Sequence, residues 1–390
     1  MVEYGALLGL IAVSAILGVR MLGDHVAGIF SDTSNSVSLT ELGVVDEPLP
    51  PLDPGAFALM VNTSTAVIYP MAGGSIVVDW GDETANATCG QNFIASGAIS
   101  CGYPTVGEYR ISISGDMTDY GDDAGEFTNS AITRVLQWGD TGLTSLSSAF
   151  YGATNLVDVP ADLPPSVFIL TKAFRDANSL NDPDIALWDV SNVTTFYFTF
   201  YGATKFNVDI GSWDTSSATS MNSMFFGAEK FSQDISAWDV SSVSIFQAMF
   251  RGATTFSQDL SLWDVSSGNN MQGMFRESSF NGDISTWQTS SVANMRYMFM
   301  DNGTFDQDIS NWDVSSVVNF ESTFHNATAF SHDLSPWDVS GASYMDSMFN
   351  SASGNSSDLS GWCVSGVVSE PSNFSTGSGL TADPAWGTCP

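Results

Sequence analysis

From about residue 141 onward the apolar positions of the chain recur with one period. Tryptophan stands at Trp188, Trp213, Trp238, Trp263, Trp287, Trp312, Trp337 and Trp362, in steps of 25 residues with a single step of 24. An Asp precedes each by four positions, from Asp184 to Asp358, and a Ser follows each by three, from Ser191 to Ser365. Such regularity marks an internal repeat array. Between tryptophans a second apolar stripe recurs: Phe246, Met249, Phe250 and Ala253, and likewise Met221, Met224, Phe225, Ala228 and Met345, Met348, Phe349, Ala352. The i, i+3, i+4, i+7 spacing predicts one face of a two-turn helix. The short run before it, with Val243, Val292 or Val317, predicts a strand. One such unit cannot bury its apolar face alone; stacked units share one core.

Ahead of the array the pattern changes three times. Residues 4–18 carry no charge and are mostly apolar, between Glu3 and Arg20. A secretory signal would carry Lys or Arg ahead of the run, and a membrane anchor would want about 20 apolar residues. A helix built into a filament core, with one acid at its start, fits better. Residues 31–54 are polar and then proline-rich, a semi-rigid spacer. Residues 55–115 alternate, with Ile76, Val78, Trp80 and Tyr109, Ile111, Ile113 each on one strand face; this predicts an antiparallel β-sandwich. An acidic connector follows, in which Asp116, Asp119, Asp122, Asp123 and Glu126 could ligate Ca²⁺ through oxygen, or could simply be solvated.

Composition narrows the function. Asp and Glu number 43 against 10 Lys and Arg, a formal charge of -33, which disfavours nucleic acid as a partner. The four cysteines, Cys89, Cys101, Cys363 and Cys389, allow three connectivities; pairing neighbours is the simplest, and disulfides suit an oxidising compartment. With three histidines and no recurring Ser/His/Asp or Cys/His arrangement, neither a catalytic set nor a firm metal site is expected. The Asp columns read as side chains accepting backbone N–H groups, with a shared cation array as the alternative. The Trp column reads as core, with an exposed sugar-stacking strip as the alternative. Directly after the helix Phe stand Tyr151, Arg175, Tyr201, Phe226, Arg251, Arg276, Met300 and His325. These residue types are enriched at interfaces, so this column is the expected surface-contact strip. Asn-x-Ser/Thr sequons include Asn302 and Asn355.

Three resemblances complete the reading. Residues 141–366 resemble the BspA-like leucine-rich repeat, through the unit MF-x-x-A-x-x-F-x-x-D-I-x-x-W-D-V-S-S-V, with Gln288 and Cys363 departing from the Asp after Trp and one residue missing near Ser278–Phe280. Glu3, Tyr4, Gly5, Leu10, Ile11, Ala12 and Val13 resemble the start of Flp (Tad) class type IV pilins, which implies that Glu3, Tyr4 and Gly5 serve subunit assembly. Val78 to Asp82 with Gly107 to Tyr109 resembles a PKD-like module, which implies that Cys89 and Cys101 staple a hairpin. The expected fold is therefore multidomain: a pilin-like α-helix at 1–30, a spacer at 31–54, a β-sandwich with acidic connector at 55–130, an α/β leucine-rich-repeat solenoid of about nine 25-residue coils at 131–366, and a cap at 367–390. The resemblances imply a bacterial pilus subunit that polymerises with itself as a helical homopolymer. It would sit in the inner membrane before assembly and then, in an extracellular filament on the cell surface, display an adhesive domain to a surface, glycan or protein ligand. The alternative is a membrane-anchored adhesin that does not polymerise.

Overall fold

The computed structural model describes residues 51–68, 70–71, 76–81, 99–121 and 128–390. Leu52–Pro390 form one compact unit. The expected pilin-like helix, with Glu3, Tyr4 and Gly5, and nearly all of the spacer lie outside the described residues.

Among the described residues six strands precede the repeats: β1 Phe57–Ile68, β2 Pro70–Met71, β3 Ile76–Asp79, β4 Ile99–Gly115, β5 Asp119–Tyr120 and β6 Ile132–Gln137. They make two small antiparallel sheets, one of four strands in the order β3-β4-β1-β6 and one of two, β2-β5. This corrects the β-sandwich. The long strand β1 pairs with β4 on one side and β6 on the other, so residues expected to open the repeats complete the sheet instead. Phe57 of β1 lies 4.6 Å from the Tyr120 ring and 6.0 Å from the Trp138 ring. The apolar core thus runs from the sheet into the repeats, as one cluster from Phe57 to Phe374.

The repeats themselves contain no α-helix among the described residues. The one helical element is a 3-10 turn at Pro183–Leu187, capped by Asp182. The expected α/β leucine-rich-repeat units are therefore corrected to runs of tight turns, and backbone geometry explains why. Ala248 and Gly252 have φ of 52° and 69°. A left-handed residue every fourth position prevents the unbroken right-handed run that i→i−4 bonding requires. The N–H groups then alternate in direction. Those of Met249, Arg251 and Ala253 donate back to Phe246, Ala248 and Phe250 carbonyls at 3.2, 3.2 and 3.1 Å. Those of Phe246, Ala248, Phe250 and Gly252 donate to Asn270, Gln272, Met274 and Arg276 carbonyls of the next unit at 2.9, 2.8, 3.0 and 2.9 Å. The apolar stripe faces inward as a helix stripe would, while every second N–H is released to the neighbouring unit. One parallel bridge per unit records the same register: Ser145, Ile169, Thr195, Ser220, Ile245, Asn270, Asn294, Asn319 and Tyr344 pair in succession.

Aromatic columns fill the interior. Phe225, Phe250, Phe275 and Phe299 stack at 5.7 to 5.9 Å. Each repeat Trp is buried, and its Nε1–H donates to a carbonyl of the preceding unit; Trp263 donates to Ile235 at 3.0 Å. That bond satisfies the one polar atom the indole takes into the core. Both Asp columns face solvent and close turns. Asp234, Asp259 and Asp308 accept the N–H of the residue two positions on at 2.8 to 3.0 Å. Asp189, Asp214 and Asp313 accept both the N–H and the hydroxyl of the following Ser. At the far end, Ser347, Phe349 and Ser351 donate to Ser372, Phe374 and Thr376 carbonyls, and a Cys363–Cys389 disulfide ties the last segment down. Cys101 is also disulfide-bonded; Cys89 lies outside the described residues.

Candidate functional site: an arginine and aromatic row

The left-handed turns decide which side chains leave the core. In the unit of Phe246 the residues left partly exposed between the buried Phe246, Met249 and Phe250 are Gln247, Ala248 and Arg251. The expected strip, Tyr151, Arg175, Tyr201, Phe226, Arg251 and Arg276, is half-buried along its whole length. The structure brings these residues into mutual contact. The Arg175 guanidinium lies over the Tyr151 ring at 5.1 Å and the Tyr201 ring at 4.6 Å. Tyr201 stacks on Phe226 at 4.3 Å, and Arg251 covers Phe226 from the other side at 4.8 Å. Each cation–ring contact of this kind contributes roughly 0.5–1 kcal/mol.

Beyond Arg251 the row continues through residues that the single column missed. Arg276 lies over Tyr297 at 5.2 Å, and Arg296 over the same ring at 4.4 Å. Phe198 meets Arg175 at 5.4 Å. Phe198 and Tyr297 occupy the first left-handed position of their units, with φ of 59° and 61°. The missed signal is a second column three residues before the first, holding Lys172, Phe198 and Tyr297. The rest of that column is small, with Ser148, Ser223, Ala248 and Gly273, so its composition does not mark it as a contact column.

Carboxylates already occupy the outer edge. Arg175 faces Asp176 at 3.4 Å, Arg251 and Arg276 face Glu277 at 3.1 and 2.9 Å, and Arg296 faces Glu321 at 2.8 Å. Partial burial raises the Glu277 carboxyl, but the hydrogen bonds and charges of Arg251 and Arg276 outweigh it and hold it below the usual carboxylate range. The Arg296 side chain also donates to Tyr297 Oη.

A second electrostatic feature lies near β6. The Asp158 carboxyl is pushed up to about 6 from an ordinary 3.8, chiefly by burial, then by the charge and hydrogen bond of Asp182 and the charge of Asp184, against the opposing charge of Arg134. Asp182 is itself committed to the N–H groups of Val159 and Asp184 at 2.7 and 3.1 Å. The folded chain therefore holds the Asp158 proton where the unfolded chain has lost it, and this contribution to stability disappears as pH rises from about 3.8 to about 6. The ladder carboxyls Asp189, Asp214, Asp313 and Asp338 act oppositely. Hydrogen bonds from the following Ser lower them, so their stabilisation is lost only as pH falls below the usual carboxylate range. Asp158→Asn is expected to raise the melting temperature at pH 7 and to flatten its slope between pH 4 and 6. A variant that keeps the wild-type slope in scanning fluorimetry would show that another group titrates there.

Among the described residues no other arrangement gathers chemistry. A groove of about 510 Å³ is walled by Pro54, Trp138, Pro160, Pro164 and Pro165, with Asp140 and Asp162 beside them. Among the described residues no group of three or more His, Cys, Asp or Glu is placed to hold a metal ion. Of the calcium candidates, Asp122, Asp123 and Glu126 lie outside the described residues, and Asp119 belongs to β5. Of the sequons, Asn302 and Asn355 are fully buried.

The comparisons redirect the functional reading. No curated protein and no solved structure matches the chain. The family model that does match is described as "Mycoplasma protein of unknown function, DUF285". It is neither a pilin, a PKD-like module nor a BspA-like leucine-rich repeat, and those three resemblances are corrected accordingly. No helix among the described residues is long and apolar enough to cross a membrane, and none exceeds five residues. The pilus subunit, its helical homopolymer, the inner-membrane intermediate, the extracellular filament and the membrane-anchored adhesin all depended on such a helix, and all are withdrawn. The family model matches twice in tandem, over 169–283 and 270–386, together more than half of the 390 residues. The chain belongs to the family described as Mycoplasma protein of unknown function, DUF285.

Proposed function

We propose that the chain is a non-catalytic recognition scaffold whose arginine and aromatic row binds an extended acidic peptide. The observation that carries this reading is the run of contacts from Tyr151 through Arg175, Tyr201 and Phe226 to Arg251, and from Arg276 through Tyr297 to Arg296, the two runs joined by Glu277 between Arg251 and Arg276. Tyr201 is covered on both faces, by Arg175 and Phe226, so it offers no open face for a sugar to stack on. The stacked guanidinium groups turn their in-plane N–H edges to carboxylates, here those of Asp176, Glu277 and Glu321, a geometry that suits a ligand carboxylate able to displace them. Half of the chain's 10 basic residues lie in this row: Lys172, Arg175, Arg251, Arg276 and Arg296. At physiological salt, charges more than about 8 Å away are largely screened, so a ligand on the row responds to these groups more than to the net charge of -33.

The test is an anisotropy titration of a fluorescein-labelled peptide of glutamate and tyrosine, against a lysine-containing control. Wild type is expected to bind the acidic peptide selectively. Arg175→Ala/Arg251→Ala/Arg276→Ala together should weaken it by about tenfold or more, since each charge-assisted contact at a half-exposed site contributes roughly 0.5–1 kcal/mol. Equal binding of both peptides, or an unchanged affinity in the triple variant, would overturn the reading.

A further inference from the structure

The centre of the row contains one unit that breaks the repeat. Where its neighbour reads Arg251-Gly252-Ala253-Thr254-Thr255-Phe256, this unit reads Arg276-Glu277-Ser278-Ser279-Phe280, one residue shorter. Glu277 occupies the left-handed position that Gly152, Gly202, Gly227 and Gly252 hold in other units, at a φ of 56°. A non-glycine residue there carries a backbone cost. Asp176, Asp301, Asn326 and Ser351 also stand at this position, and all are short. Glu277 is the long one, and its reach is used. Its Oε1 accepts from Arg251 Nη2 at 3.3 Å and Arg276 Nε at 3.0 Å, and its Oε2 accepts from Arg251 Nε at 3.1 Å. The two arginines come from successive units, and Phe226 and Tyr297 lie against their faces. Their edges are thus set as a fork for one carboxylate, with Glu277 about two-fifths exposed at its mouth.

We infer that Arg251 and Arg276 form a carboxylate-binding site which Glu277 fills from within, and which a carboxylate of the acidic ligand enters by displacing Glu277. This rests on the recognition reading above and adds to it a built-in competitor. An internal carboxylate at high effective concentration lowers the apparent affinity of an external one without closing the site. It also enforces selectivity, because a ligand must supply further contacts along the row to compete.

The same labelled glutamate–tyrosine peptide tests it. Glu277→Gln keeps the size of the side chain and removes the competing charge, and should bind about tenfold more tightly than wild type. Glu277→Gly, which also suits the left-handed backbone, should do the same and guards against a folding artefact of the first variant. Adding Arg251→Ala and Arg276→Ala to Glu277→Gln should abolish the gain. If both Glu277 variants bind as wild type does while the arginine substitutions still weaken binding, the internal competitor is wrong and the recognition row stands. If neither wild type nor the Glu277 variants bind the peptide, both fail.

Discussion

Replacing Trp263 by alanine is expected to cost about 3–5 kcal/mol of stability, the range for truncating a large buried aromatic. Trp263 sits in the middle of the stack, 3 % exposed, with its indole 6.4 Å from that of Trp287 and 6.1 Å from the Phe246 ring. Its removal leaves a cavity that the units above and below, held in register by backbone bonds, cannot close. It also leaves the Ile235 carbonyl, which accepts from Nε1, without that donor. Because each unit contacts only its neighbours, the damage falls on two interfaces at once, and the array should lose cooperativity as well as stability. Leu262, beside it and 77 % exposed, is the internal control: Leu262→Ala should change stability by less than about 0.5 kcal/mol. Urea melts followed by circular dichroism measure both. A loss below about 1 kcal/mol for Trp263→Ala would mean that the indole is not part of the packed core.

The second large effect is expected at Asn302. Apart from Ser278 in the short unit, its column otherwise holds alanine, as at Ala253 and Ala327, so Asn302→Ala looks like a return to the repeat. The structure predicts the reverse. Asn302 is fully buried. Its Nδ2 donates to the Phe280 carbonyl at 2.9 Å, and its Oδ1 accepts the N–H groups of Thr304 and Phe305, each at 3.2 Å, and the Thr304 hydroxyl at 2.9 Å. Phe280 closes the unit that is one residue short, and Asn302 reaches across to the carbonyl that the shortened turn leaves facing it. Truncation would strand these buried groups and open a small void, at a combined cost of about 2–4 kcal/mol. A variant as stable as wild type in the same melts would show that the short unit needs no such partner. The same burial means that the Asn302 sequon stays unmodified in the folded chain.

The periods of Trp, Asp and Phe were legible in the sequence because they report which side chains enter the core, and that depends on spacing alone. The backbone route was not legible. An i, i+3, i+4, i+7 stripe is the signature of a helix, yet here left-handed residues at positions such as Ser148, Lys172, Phe198 and Ala248 turn the same stripe into successive tight turns. None of these residue types announces a positive φ. They are held there because the alternate N–H groups find carbonyls on the next unit, a gain that exists only once the units are stacked. The sheet was misread for a related reason. β6 at Ile132–Gln137 pairs with the far end of β1, a long-range contact that local alternation does not encode. The N-terminal apolar run was read by likeness to short apolar helices, a pattern that many unrelated chains share.

Of the site, one column was visible because it lies one residue beyond each buried Phe. The partner residues Phe198, Arg296 and Tyr297 were not legible because their positions hold small or polar residues in other units, such as Ser223, Ala248 and Gly273, so no recurring residue type marks them. Glu277 was visible only as a missing residue. Its meaning emerges when the shortened unit is placed between Arg251 and Arg276.

Arginine Nε–H resonances report on the central claim most directly. In a ¹⁵N-labelled sample titrated with the acidic peptide, the Nε–H signals of Arg175, Arg251, Arg276 and Arg296 should shift together and saturate at one affinity, while that of Arg134, outside the row, stays fixed. Saturable binding that leaves those four signals unmoved, or that moves the Asp-column amides instead, would contradict the assignment of the row as the recognition surface.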